Sequence, residues 1–133
     1  MAEIADVRLL RPVRVLVCGT DETFVSRASG DLLRLGFDVV AATGPAQVVD
    51  LAVAERANVV VLDASGGLRA AAALAGALEA LPQRIRVLLA SPRKLSAAKL
   101  GYDVIPVGSS PEELAAAVHR AYRDGPSRAA ARS

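Results

Sequence analysis

Three short apolar runs constrain this chain more than any other feature: VRVLVC at 13–18, NVVVLD at 58–63 and IRVLLA at 85–90. None of them alternates apolar with polar residues. A strand with one face in water would alternate, so strands built from these runs are buried on both faces. Burial on both faces calls for a parallel sheet covered by helices on either side. Two weaker runs, FDVVAA at 37–42 and YDVIPV at 102–107, complete a set of five.

The segments between the runs carry the helical period. In DETFVSRASGDLLRL, residues 21–35, Val25, Ala28, Leu32 and Leu35 fall on one face. Thr20 or Asp21 can cap its start, and Gly36 can end it. GPAQVVDLAVAERA, residues 44–57, reads as a second helix with Pro45 near its first position. LRAAAALAGALEAL, residues 68–81, is an alanine-rich third, stopped by Pro82. SPRKLSAAKLG, residues 91–101, is long enough for a loop and about two helical turns. SPEELAAAVHRAYRDG, residues 110–125, is a helix with Ser110 and Glu113 as a capping box. Its Leu114, Val118 and Ala121 face the core. The expected fold is α/β, a three-layer α/β/α sandwich around a five-stranded parallel sheet. Residues 1–11 form an N-terminal extension, 12–124 the domain and 125–133 a disordered tail.

Composition narrows the function. The chain has 133 residues, 53% of them hydrophobic and only 3% aromatic, with no Trp. That suits one domain with an aliphatic core. A net charge of +2 without a dense basic face gives no ground for nucleic-acid binding. Cys18 is the only cysteine, which excludes an internal disulfide and makes a cysteine metal site untenable. It reads as a small buried apolar residue. No run reaches the roughly 20 apolar residues of a membrane span, and the N-terminus lacks a signal-peptide core. The expected location is the cytoplasm.

Ligands of open parallel sheets bind outside the carboxyl ends of the strands. The residues there are Gly19 and Thr20, Thr43, Asp63, Ser91 and Ile105. Asp63 is the carboxylate that directly ends a central strand, and Ser91 ends the next. A carboxylate beside a hydroxyl could accept and hold a phosphoryl group; equally, an Asp can cap a turn and a Ser can open a loop. Spacing alone favours the turn roles.

The order of elements, together with RLGF, NVVVLD and YDVIP followed by SPEELAAAV, resembles the receiver domain of bacterial two-component response regulators, a CheY-like, flavodoxin-like fold. The resemblance covers residues 12–124. It implies strand order 2-1-3-4-5 and an abbreviated fourth helix. It puts Asp63 at the phosphoacceptor position, Ser91 and Tyr102 at the switch positions, and Pro106 after the place of the catalytic lysine, with a cis Ile105–Pro106 bond.

Three positions depart from the family. The acidic pair that would hold Mg²⁺ is replaced by Gly19 and Thr20, and the lysine by Ile105. Phosphoryl transfer depends on positioning and on neutralising the oxygens of the moving group. An aspartyl phosphate here would lack two of its three charge partners. A metal site would rest on Asp63, on Asp21 if it turned inward, and on backbone carbonyls; the register favours Asp21 as a helix cap.

The leading expectation is an atypical stand-alone receiver-like signalling domain, not an enzyme, with impaired or absent phosphorylation. No output domain is expected after residue 125, so the domain is expected to act through a protein partner, a histidine kinase or a second copy; the alternative is that the chain is a piece of a longer protein. The face expected to serve is the family's fourth strand, fourth helix, fifth strand and last helix. One alternative is a working phosphoacceptor, phosphorylated on Asp63 by a histidine kinase with Mg²⁺. A weaker one is a small-molecule-binding flavodoxin-like domain. The chain has neither a phosphate-binding loop nor G-x-G-x-x-G, so a bound nucleotide or flavin has little support. His119 reads as a surface or edge histidine.

Overall fold

The computed structural model describes residues 12–42, 45–92 and 102–124. In chain order the elements are β1 (Arg14–Cys18), α1 (Glu22–Arg34), β2 (Asp38–Ala42), a short 3₁₀ turn (Pro45–Gln47), α2 (Val48–Ala54), β3 (Val59–Asp63), α3 (Leu68–Glu79), β4 (Arg86–Ser91), β5 (Asp103–Pro106) and the C-terminal helix α4 (Pro111–Asp124). The expected N-terminal extension, the C-terminal tail and the abbreviated helix after Ser91 lie outside the described residues. Among those described, no helix is long and apolar enough to cross a membrane.

The strands form one five-stranded sheet in the order β2-β1-β3-β4-β5, and every pair is parallel. The unbroken apolar runs are explained by the two cores. Val15, Val17, Val59, Val61, Leu88 and Ala90 point to the side covered by Phe24, Val25, Ala28 and Leu32 of α1 and by Leu114, Ala117, Val118 and Ala121 of α4. Their neighbours Leu16, Cys18, Val60, Leu62, Val87 and Leu89 point to the other side, under Val48 and Ala52 of α2 and Ala71, Ala75 and Leu78 of α3. Side chains alternate between faces along a strand, and here both faces are dry, so every position is apolar.

The helix ends follow from named residues. The Asp21 carboxylate accepts from Thr23 N (3.0 Å) and Phe24 N (3.3 Å) at the start of α1. Gly36, with φ of +95°, lets the chain turn back so that Phe37 N–H donates to Leu32 O. The capping box of α4 closes in both directions: Ser110 N donates to Glu113 Oε1 (2.8 Å), and Glu113 N to Ser110 Oγ (3.1 Å). Leu114, Val118 and Ala121 are buried as expected.

Some expectations are corrected. Leu35 is 44% exposed, because it is the C-cap of α1, where the backbone has left the helical path. The second helix is shorter than its apolar period. It opens with the 3₁₀ turn and ends at Ala54, because Arg56 takes a left-handed φ of 55° and Ala57 N–H returns to Ala52 O. The Ile105–Pro106 bond is trans, the ordinary state of an X–Pro bond. The turn beyond it closes on the Pro106 carbonyl, which accepts from Ser109 N (3.1 Å) and Ser109 Oγ (2.7 Å).

Candidate functional site

The strand order reverses between β1 and β3: the chain leaves β1 for β2 on one side and comes back to β3 on the other. At such a switch point the crossovers diverge and leave a crevice at the carboxyl ends. Cys18, Gly19 and Thr20 lie on one side of it, and Leu62 and Asp63 on the other.

Asp63 is half-buried at the end of β3. Its carboxylate is held by backbone. Oδ1 accepts from Ser65 N (2.9 Å), a local turn, and Oδ2 accepts from Asp21 N (3.2 Å) across the crevice. Among the described residues no Lys, Arg or His ion-pairs with it. Asp63 thus closes the turn after β3, with its carboxylate at the carboxyl edge of the sheet.

Gly19 belongs to the same geometry. A Cβ built on it would lie 2.2 Å from Asp63 Cβ and 2.9 Å from Asp63 Oδ2. The ends of β1 and β3 approach so closely that the Asp63 side chain fills the space a residue-19 side chain would need. Thr20 is exposed on the rim, and a Cβ on Gly66 would come within 3.0 Å of its Oγ1.

The remaining anticipated residues fall on the same edge in part. Asp63 is in register with Ala90, so Ser91 lies one position further along β4, opposite Pro106 of β5. Ser91 is buried at 1% exposure. Tyr102 is partly buried on the α2–α3 side, its hydroxyl 3.7 Å from where a Cβ on Gly76 of α3 would stand. Ile105 is buried with Leu114 and Ala117 in the core under α1 and α4. An aliphatic side chain there is retained by apolar packing and brings no charge to the edge.

Asp21 does not join Asp63 as a ligand. Its Oδ1 caps α1, and only its backbone N–H meets the Asp63 carboxylate. Among the described residues no three His, Cys, Asp or Glu side chains gather around a common point. Mg²⁺ is held by several oxygens in octahedral array, and this donor set of one backbone-bound carboxylate does not fit it.

The crevice contains a cavity that sequence reasoning missed. It measures about 120 Å³ and is lined by Cys18, Thr20, Val48, Leu62 and Leu74, by the small residues Gly66, Gly67, Ala70 and Ala71, and by Gly19 and the half-buried Asp63. The one available signal was the small residues of ASGG at 64–67 and AAAA at 70–73, on either side of Leu68 and Arg69, which leave little side-chain volume beside β3. Cys18 is 1% exposed, its Sγ set toward Val61 O at 3.8 Å. Burial, and secondarily the Asp63 charge, push its thiol from an ordinary 9.0 to about 12. It is therefore an unreactive part of the lining. His119 is exposed, its ring 4.8 Å from Phe37.

A second contact was also missed. Arg27 of α1 reaches over to the loop between β5 and α4, where it donates to Ser109 O (3.4 Å) and to Val107 O. Its guanidinium also lies over the Phe24 ring, 5.9 Å from the centroid.

No family profile matches the chain, and no curated protein matches it. Solved structures do. Vibrio cholerae chemotaxis protein CheY4 superposes with a TM-score of 0.73 at 16% identity, over 83% of this chain and 98% of that one. The receiver domain of the response regulator NarL from Mycobacterium tuberculosis gives 0.66 at 25% identity, over 85% and 98%. A pilus assembly-related protein from Burkholderia pseudomallei gives 0.71 at 21% identity, over 85% and 91%. The sheet order, the direction of every strand and these superpositions agree: this chain has the fold of the CheY-like response-regulator receiver domain.

Proposed function

We propose that this chain is a receiver-like signalling domain that works by contact with a protein partner, with phosphorylation of Asp63 impaired or absent. The observation that carries the reading is the contact between Gly19 and Asp63. Where a receiver keeps a metal-binding carboxylate, this chain has a glycine, and the Asp63 side chain takes up the space. Asp21 is engaged as a helix cap, and Ile105 is buried in the core. A phosphoryl group on Asp63 would gather negative charge where, among the described residues, no metal-ligand set gathers and Ile105 brings no charge to offset it.

The partner face in this reading is the one formed by β4, β5 and α4; of AAAVHRAY, the exposed Ala116, His119, Arg120 and Tyr122 are open to a partner, whereas Ala117, Val118 and Ala121 are buried and Tyr102 is partly buried toward α3. Tyr122, 46% exposed on α4, is a large apolar side chain available there. Aromatic residues of this kind anchor protein interfaces. The partner is a protein or a second copy of the chain.

Beryllium fluoride, a phosphoryl mimic, tests the phosphorylation part directly. With millimolar Mg²⁺, the amide resonances of Asp63, Ser91 and Tyr102 are expected to stay in place. Saturable shifts that disappear in Asp63→Asn would instead establish a working phosphoacceptor.

A further inference from the structure

The cavity beside Asp63 has a shape and a charge that the partner reading leaves unused. Its walls are carbon: Val48, Leu62 and Leu74, the Cβ atoms of Ala70 and Ala71, and the backbone of the two glycines. Its volume of about 120 Å³ is somewhat below the roughly 150 Å³ of an enclosed engineered cavity that takes up benzene, and here the space opens to solvent past the exposed Thr20, Gly66, Gly67 and Ala70. It can therefore seat a body of about five carbons. Its lining also carries the half-buried carboxylate of Asp63.

Each oxygen of that carboxylate accepts a single backbone hydrogen bond, so acceptor capacity remains on both. No side-chain cation of the described chain neutralises it. A half-buried carboxylate with no counter-charge among the described residues, beside an apolar cavity, is complementary to one kind of molecule. That molecule has a short hydrocarbon body and an ammonium head. The Thr20 hydroxyl oxygen, exposed on the same rim, is a second acceptor for the head.

We infer that this cavity is a binding site for a small organic amine, its hydrocarbon body between α2 and α3 and its ammonium group on Asp63. Apolar burial of the body supplies the binding, and the charge pairing selects amines over neutral or acidic molecules of the same shape. The inference holds whether or not a protein partner binds the face of β4, β5 and α4.

The test uses the whole chain and three probes with the same branched five-carbon body: isoamylamine, isoamyl alcohol and isovalerate. Amide spectra are followed during each titration at neutral pH. Isoamylamine is expected to give saturable shifts at Gly19, Thr20, Gly66, Gly67 and Ala71 in the millimolar range. The alcohol is expected to bind at least tenfold more weakly, and isovalerate not to bind. Asp63→Asn should bring the amine down to the level of the alcohol without changing the alcohol itself. Ala71→Leu should fill the cavity and abolish both. Absence of saturation with the amine in the wild-type chain would overturn the inference. So would equal binding of amine and isovalerate, or an Asp63→Asn variant that binds the amine unchanged. The wild-type series and Asp63→Asn decide the matter even if Ala71→Leu does not fold. Beryllium fluoride reports on phosphorylation and the amine series on the cavity, so either result can fail without the other.

Discussion

A methyl group on residue 19 would have to share space with the Cβ of Asp63, whose position is fixed by the β3 backbone. Gly19→Ala is therefore expected to cost about 1–3 kcal/mol, as overpacked interiors do, read as a lower urea midpoint at unchanged slope. Cys18 gives a second prediction at this scale. Its folded thiol holds its proton up to about pH 12, whereas the unfolded one releases it near 9.0. Above pH 9 the folded state binds more protons than the unfolded state, so stability falls as pH rises between those values. The fall should be less steep in Cys18→Ala, measured by urea unfolding at a series of pH values. Native Cys18 should also resist thiol reagents at pH 8 until denaturant is added. At this scale the sequence showed which groups stand at the strand ends, because each follows an apolar run. It did not show that two of them touch, since contact between residues 19 and 63 depends on how closely two strand ends converge.

Among the elements, the helix termini were the most legible, because a cap is a local matter of one side chain and its own first turn. Asp21→Ala should lower stability by about 1 kcal/mol through the lost bonds to Thr23 and Phe24, measured by urea denaturation. Asp21 and Ser110 with Glu113 announce themselves by residue type and spacing. The end of α2 does not. Its apolar period runs on to Ala57, but the chain turns at Arg56 through a left-handed conformation that usually belongs to glycine. Nothing in the residue type warns of this. Arg56→Gly is expected to raise stability by about 0.5–1 kcal/mol, because the relief of strain exceeds the added freedom of the unfolded chain. Thermal and urea midpoints should both rise.

Across the whole molecule, the sheet is a wall between two dry cores, and its edges are β2 and β5. Hydrogen exchange should follow that layout, with amides of β1, β3 and β4 slowest and those of β2 and β5 opening earlier. The architecture was legible because unbroken apolar strands admit few arrangements, and the motif order resembling receivers added the strand order. The cavity was not, because empty space is the joint product of small side chains on α3 and of a crossover that diverges from its neighbour. The close approach of Gly19 and Asp63 also limits what position 19 can carry. An aspartate placed there would meet the Asp63 side chain, and would cost stability before any metal could repay it. Position 19 is a lock on the crevice: no single substitution adds a side chain there without moving the end of β3.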